Sequence, residues 1–251
     1  KENGGVSTAR NVGLEASSSE YIVFPDADDL MYESMIDDLF SAIELAPVEV
    51  GAVFGRANFF TKDGVLDNIY MPSSSDIEPY FSNKISESVY LLNETFIHRL
   101  VKSSVVPQCS SMIKKTVYNS IGMWDERFKY HQDRHMWLKI ASKYKVVFVD
   151  KVVAGIRRHD NNITHKDNWI RNHLEILELL KDVQGSEWAD VRLSMLAKKY
   201  YSSGAYNISQ RYADNEDSSN ASKYMLKALC SNTSSIKSLL RYLQYKTKSL
   251  F

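Results

Sequence analysis

The feature that most constrains this chain is a short apolar run that ends in a cluster of carboxylates. Residues 21–24 read Tyr-Ile-Val-Phe, and Asp26, Asp28 and Asp29 follow directly after Pro25. Four apolar or aromatic residues rich in β formers predict a short buried strand. A strand that stops at carboxylates places them at the carboxyl edge of a sheet, where open α/β folds bind ligands. Because hard cations take oxygen ligands, Asp26 and Asp28 are candidates to hold one cation and, through it, a diphosphate. A solvated acidic turn is the alternative.

Two further motifs flank this acidic run. Upstream, residues 3–14 read NGGVSTARNVGL, and downstream, residues 122–128 read GMWDERF, with Gln132 and Asp133 close behind. In this order and approximate spacing, the motifs resemble the family 2 glycosyltransferases of the GT-A fold. Members of that family typically read N-x-G-x-x-x-A-R-N-x-G, a strand ending D-x-D-D, G-x-F-D-E and a Glu-Asp pair. The resemblance covers about the first two-thirds of the chain.

The resemblance implies a fold class and a domain organisation. We expect an α/β chain of the GT-A type, Rossmann-like, with a mostly parallel sheet flanked by helices. From residue 166 onward the pattern is helical, which predicts a catalytic domain over residues 1–165 and an α-helical extension over residues 166–251. The chain begins inside the first motif, so we expect the catalytic domain to lack upstream strand–helix units, roughly 70–80 residues at about 30 or more per unit.

The resemblance also implies donor-binding and metal-binding residues. Arg10, Asn11, Asp26 and Arg158 are the residues expected to contact the nucleotide-diphosphate donor. A surface salt bridge is the alternative for Arg10, and a structural hydrogen bond is the alternative for Asn11. An exposed position without a ligand is the alternative for Arg158.

A divalent metal, Mn²⁺ or Mg²⁺, is expected on Asp26, Asp28 and His159. We prefer His159 to His165, because it stands in the Arg-x-His segment that closes the family pattern. A purely structural histidine is the alternative.

The general base implied by the resemblance is Asp133. Met136, Trp137 and Ile140 are spaced as one apolar helix face that begins just after it, so Asp133 falls at a helix N-terminus, where the helix dipole favours a carboxylate. An ordinary helix cap is the alternative. Gln132 departs from the family's Glu, which removes a charge beside the base.

Local patterns predict some further elements. Asp63 and Gly64 are a hairpin turn signal between two strands. Residues 88–100 are expected to be helical, and residues 145–149 and 152–156 to form two short strands.

Composition excludes several classes of function. The chain has 251 residues, with 31 Lys and Arg against 31 Asp and Glu, so overall charge gives no sign of a nucleic-acid binder. No apolar run approaches the roughly 20 residues of a membrane span, and no secretory signal is apparent. Cys109 and Cys230 match no metal or redox spacing, so we expect them to be reduced and buried or half-buried, as in a cytosolic protein.

These expectations combine into one function and two rivals. We expect a metal-dependent, inverting glycosyltransferase of the hexosyltransferase type, which transfers a sugar from a nucleotide-diphosphate sugar to a hydroxyl of a glycan or lipid-linked acceptor. Uridine diphosphate is the family's commonest nucleotide, and bacterial polysaccharide biosynthesis is the expected context. We expect a cytoplasmic location, with the helical tail available for homo-oligomerisation or for peripheral contact at the inner membrane face.

One rival is a non-catalytic glycan- or partner-binding module derived from such an enzyme. The other is a phosphohydrolase of the haloacid dehalogenase type. That second family also places D-x-D after a strand, but Pro25 and Leu30 do not fit its pattern.

Overall fold

The computed structural model describes residues 4–159, 168–231 and 236–248. The chain divides into two compact units, residues 1–162 and residues 163–251. The first unit contains a sheet and helices, and the described part of the second unit is helical. The predicted boundary after residue 165 lies outside the described residues.

The first unit alternates helices with strands of very different lengths. Its helices are α1 (Gly5–Ala16), α2 (Met35–Glu44), α3 (Ser74–Ile77), α4 (Phe96–Lys102), α5 (Lys115–Ile121) and α6 (Gln132–Lys143). Its strands are β1 (Tyr21–Ile22), β2 (Leu30–Met31), β3 (Val50–Thr61), β4 (Gly64–Met71), β5 (Phe81–Ser86), β6 (Val89–Leu92), β7 (Ser111–Lys114) and β8 (Lys145–Arg157).

The eight strands form one mixed sheet in the order β1-β7-β3-β8-β6-β5, with β2 paired to β8 and β4 paired to β3. Only β3 and β8 pair in parallel among the described strands, so the expectation of a mostly parallel sheet is wrong. The physical reason lies partly in the connections: β3–β4 and β5–β6 are hairpins, and a short turn can join only antiparallel neighbours. The predicted turn at Asp63 and Gly64 forms the first of these hairpins.

Helices cover both faces of the sheet, so its central strand, β3, is buried on both sides. Successive side chains of a strand point to opposite faces. Val53 of β3 belongs to a core cluster with Met35 of α2. The next residue, Phe54, contacts Phe96 of α4 and Trp137 of α6. The predicted α/β arrangement of a sheet flanked by helices is therefore confirmed.

Two local predictions are wrong. Residues 89–92 form β6, paired with β5 and β8, and the helix begins only at Phe96. The run at 89–92 lies between β8 and β5 in the sheet, so tertiary pairing overrides its apparent helical pattern. Residues 145–157 form one strand rather than the two short strands predicted. The pairing of β8 with β3 shifts its register near Gly55, so β8 continues through the position of the predicted break.

The described part of the second unit consists of α7 (Trp169–Gly185), α8 (Val191–Asp214), α9 (Ser218–Ser231) and α10 (Ile236–Lys248). The carboxylate of Asp190 caps α8 by accepting a hydrogen bond from the backbone N–H of Leu193 at 2.7 Å. A core cluster draws on three of these helices and comprises Leu177, Ala205, Ile208, Tyr224 and Ala228. The predicted helical extension is therefore confirmed as structure.

None of the described helices combines the length and apolar character that crossing a membrane requires. Both cysteines are free, as predicted, but Cys230 is exposed rather than buried or half-buried.

Candidate active site

The acidic run forms a tight turn held against the end of β8. The backbone N–H of Asp29 donates to the carbonyl of Asp26 at 3.1 Å, which closes the turn. The next residues form β2, whose Leu30 lies opposite Gly155 of β8. The strand before the turn is shorter than predicted, because only Tyr21 and Ile22 pair in the sheet.

Asp29 fastens this turn to β8. Its Oδ1 accepts a hydrogen bond from the backbone N–H of Arg157 at 3.0 Å, and Arg157 Nε donates to the carbonyl of Asp28 at 2.9 Å. Burial raises the pKa of Asp29, against the opposing effect of hydrogen bonds from the Arg157 backbone and the Cys109 thiol. Sequence reasoning gave no role to Asp29. Its position as the third carboxylate of the D-x-D-D pattern was the available signal.

Two of the three predicted metal ligands lie next to each other. Asp28 Oδ2 and His159 Nε2 are 3.2 Å apart, although 131 positions separate them in the chain. Two ligands at about 2.1 Å from one cation, at right angles, lie about 3 Å apart, so this pair fits one divalent ion. Within the described ranges, no group of three His, Cys, Asp or Glu side chains that could hold a metal is present. A cation bound by this pair would need its remaining ligands from another source, such as a bound substrate.

The third predicted ligand, Asp26, contacts a cation of the protein. Its Oδ1 lies 2.9 Å from Arg10 Nη2. Arg10 is buried, with 6% of its surface exposed, and its guanidinium lies 4.6 Å from the centre of the Trp124 ring. Arg10 therefore forms a salt bridge, as the alternative supposed, but a buried one rather than one at the surface.

The other terminal nitrogen of Arg10, Nη1, is available to donate a hydrogen bond to a bound molecule. This nitrogen is buried and has no hydrogen-bond partner among the described residues. A buried donor without an acceptor costs free energy, so Nη1 is suited to an oxygen of a bound molecule.

Asn11 holds the second motif in place. Its side-chain nitrogen donates to the carbonyl of Trp124 at 3.0 Å and to Glu126 Oε1 at 3.2 Å. Its Oδ1 accepts from the backbone N–H of Trp124 at 2.9 Å. Both ends of the amide are therefore engaged in the structural role weighed above, and these contacts give no support to a donor-binding role. Asp125 braces the same loop by accepting from the backbone N–H of Arg127 at 2.9 Å.

Asp133 lies in the first turn of α6, which begins at Gln132 with His131 as its cap residue. The simple cap alternative for Asp133 is therefore wrong. Its Oδ1 accepts from the backbone N–H of Arg134 at 2.7 Å, and Ser104 Oγ donates to its Oδ2 at 3.4 Å.

The surroundings of Asp133 raise its pKa above the usual value of an aspartate. Burial raises the pKa of Asp133. The hydrogen bond from the Arg134 backbone and the positive charges of His131, Arg10 and Arg134 oppose that rise. Because Arg10 also contacts Asp26, one buried guanidinium acts on both carboxylate centres.

The predicted role of Arg158 has no direct support from its contacts. Its guanidinium lies 4.2 Å from the centre of the Phe59 ring, and its backbone N–H donates to the carbonyl of Phe60. Its neighbour Arg157 is the residue that contacts the acidic turn. Arg157 and Arg158 are neighbours in the sequence, and only the course of the backbone at the end of β8 determines which of them contacts the turn.

The comparisons with known proteins agree with the motifs. Residues 1–121 match the model of glycosyl transferase family 2. A glycosyltransferase of Rickettsia typhi is 27% identical over 72% of this chain and 52% of its own length. The minor teichoic acid biosynthesis protein GgaB of Bacillus subtilis is 30% identical over 58% of this chain and 14% of its own length.

A solved mannosyltransferase of Pyrobaculum calidifontis, determined with GDP-mannose and Mn²⁺, aligns with 98% of this chain and 60% of its own chain, at 15% identity and a TM-score of 0.49. This similarity is too weak to support a conclusion about the present chain. The family match and the curated relatives confirm the predicted resemblance to family 2 glycosyltransferases. The mixed sheet flanked by helices agrees with the α/β architecture that this resemblance implies. The chain spans about half the length of the Rickettsia relative.

Proposed function

We propose that this chain is an inverting glycosyltransferase that transfers a sugar from a nucleotide-diphosphate sugar to a hydroxyl group of a glycan. The supporting observation is the position of Arg10. Its guanidinium contacts Asp26 of the acidic turn, and its positive charge lowers the pKa of Asp133. Arg10 and Asp26 lie within residues 1–121, which match the family. A donor-binding centre and a proton-accepting centre would therefore adjoin each other. We assign the catalytic domain to residues 1–165 and the helical extension to residues 166–251.

The acidic turn is the proposed donor site. Asp28 and His159 would hold Mn²⁺ or Mg²⁺, and Mg²⁺ in particular is commonly bound by one or two carboxylates plus substrate phosphates. When bound, such an ion supplies charge neutralisation to the leaving diphosphate. Arg10 Nη1 would donate a hydrogen bond to a donor oxygen, and Asp26 would keep the guanidinium in place. Arg158 retains its proposed role at the diphosphate.

Asp133 is the proposed general base. Its carboxylate accepts the proton of the acceptor hydroxyl as that oxygen attacks the anomeric carbon. The bond from that carbon to the nucleoside diphosphate breaks on the opposite face, so the configuration inverts. A pKa raised by burial suits this role, because a base is most effective when its pKa approaches the working pH.

The acceptor we propose is a bacterial surface polysaccharide or its lipid-linked precursor. Support comes from the name of the Bacillus relative, which places that protein in teichoic acid biosynthesis. Uridine diphosphate remains the proposed donor nucleotide, and the cytoplasm the proposed location.

The test is to incubate the chain with a panel of nucleotide-diphosphate sugars, Mn²⁺ and a set of glycan acceptors. We expect acceptor-dependent release of one nucleoside diphosphate and a product with inverted anomeric configuration by NMR. A retained configuration would contradict the inverting mechanism. Phosphate release from a phosphomonoester would instead favour the phosphohydrolase, and glycan binding without any release would favour the binding module.

A further inference from the structure

The end of the chain differs in charge from the rest. Residues 218–251 contain six basic residues and no Asp or Glu, whereas the preceding residues contain 25 Lys and Arg against 31 Asp and Glu. The six are Lys223, Lys227, Lys237, Arg241, Lys246 and Lys248. Because overall charge is balanced, this asymmetry is hidden in the total composition. A concentrated positive segment attracts anionic surfaces.

Two of these six charges lie close together on α9, and α7 adds one further lysine beside them. Lys223 and Lys227 lie one turn apart on α9, and Lys181 of α7 stands near them. Burial, followed by the positive charges of Lys223 and Lys181, lowers the pKa of Lys227, with Glu178 opposing. Lys223 and Lys181 therefore add positive potential at Lys227, and Glu178 opposes it.

The final helix, α10, has two different sides. One side faces α8: Arg241 Nη1 donates to Gln210 Oε1 at 3.0 Å, and Gln210 Nε2 donates to the hydroxyl of Tyr245 at 3.1 Å. Leu240 and Leu243, three positions apart and so on a common face, are 61% and 51% exposed. Among the residues that the structure describes, nothing covers these two leucines of a basic helix.

We infer that α10 and the basic residues of α9 form a docking surface for an anionic lipid bilayer. In such an arrangement the two leucines enter the boundary between headgroups and acyl chains, while Lys and Arg stay at the headgroups. A nucleic acid would attract the same charges but would make no use of exposed leucines. A second copy of the chain would bring like charges together, which opposes association. The inference does not depend on the proposed enzymatic activity.

The test is sedimentation of the whole chain with lipid vesicles. We expect binding to vesicles that contain phosphatidylglycerol, no binding to phosphatidylcholine alone, and weaker binding as salt is raised. The double variant Leu240→Gln and Leu243→Gln should lose about tenfold or more in vesicle affinity. Met195→Gln is the matched control, because Met195 is 68% exposed on α8 of the same unit and lies outside the docking surface.

Three outcomes would overturn the inference. In the first, the unmodified chain fails to bind anionic vesicles. In the second, the double variant binds them as well as the unmodified chain does, and a DNA duplex competes for the site. In the third, the unmodified chain binds no vesicles, and the double variant loses a self-association that sedimentation velocity detects in the unmodified chain. Circular dichroism of the double variant should show unchanged helix content. A positive or negative vesicle result leaves the assay of sugar transfer unaffected, so the two proposals fail separately.

Discussion

The acidic turn and Asp133 are both carboxylate centres, but their surroundings differ. Asp26 and Asp28 are about half exposed and lie next to cationic or ligand-type groups, Arg10 and His159. Asp133 lies at a helix start, where it accepts hydrogen bonds from a backbone N–H and a serine hydroxyl, and burial raises its pKa. The first arrangement suits a site that holds charge in place, and the second suits a site that exchanges a proton.

This contrast shows that carboxylates of one type acquire different chemistry from their position in the fold. The turn is fixed to the end of β8 through Asp29 and Arg157, so its carboxylates have a defined place at the sheet edge. The position of Asp133 is instead set by α6, since Asp133 belongs to the first turn of that helix. Arg10 connects the two centres, because it contacts Asp26 and its charge lowers the pKa of Asp133.

The largest expected effect is on Asp133. Asp133→Asn keeps the size of the side chain but cannot accept the acceptor proton, so turnover should fall by about 10²–10⁴-fold. Donor KM should stay unchanged, because the acidic turn is intact. Steady-state release of nucleoside diphosphate measures both quantities. Asp214→Asn, an exposed change in the second unit, is the control. Turnover equal to that of the parent would remove Asp133 from the mechanism.

The opposite pattern is expected for Asp28. Asp28→Asn removes a charged oxygen ligand beside His159, so Mn²⁺-dependent affinity for the nucleoside diphosphate should fall by more than about tenfold. Calorimetric titration with and without Mn²⁺ measures this loss. Asp37→Asn, on the exposed surface of α2, is the matched control. If Mn²⁺ strengthens nucleotide binding equally in parent and variant, the acidic turn is not the metal site.

Arg10 tests the connection between the centres. A base works only when deprotonated, so turnover should fall as pH drops through the raised pKa of Asp133. The positive charge of Arg10 lowers that pKa, so Arg10→Gln should move the acidic limb of the kcat profile to higher pH. Arg10→Lys retains the charge and should move the limb less. An identical limb in the parent and in Arg10→Gln would mean that the two centres are independent.

The smallest effect on chemistry is expected for Asn11, which acts on structure. Asn11→Ala removes three hydrogen bonds to the loop at 124–126 and should lower the free energy of unfolding by about 1–3 kcal/mol. Thermal denaturation measures the change, with Glu15→Ala, an exposed change on the same helix, as the control. If stability is retained while nucleotide affinity is lost, Asn11 is a donor-binding residue and the structural role is wrong.

Much of the site was predictable because the motifs are local. The spacing of Asp26 and Asp28, the run around Arg10 and the start of a helix near Asp133 all depend on neighbours in the chain. The proximity of His159 to Asp28 was predicted only through the family pattern, since no local rule reaches across so many positions.

What the sequence did not predict depends on tertiary contacts. Residues 89–92 become a strand because β5 and β8 lie on either side of them. Asp29 and Arg157 acquire their roles only when β8 reaches the turn. The strand pairing is mixed rather than mostly parallel, because that property belongs to the topology and not to any one segment.

The most direct test of the account is thermal unfolding of this chain with a panel of nucleoside diphosphates, with and without Mn²⁺. A ligand that binds only the folded state at 100 times its dissociation constant adds about 2.7 kcal/mol to stability. The account predicts Mn²⁺-dependent stabilisation by one nucleoside diphosphate, retained in Asp133→Asn and lost in Asp28→Asn. The absence of stabilisation by every nucleotide, or equal stabilisation of all three proteins, would contradict it.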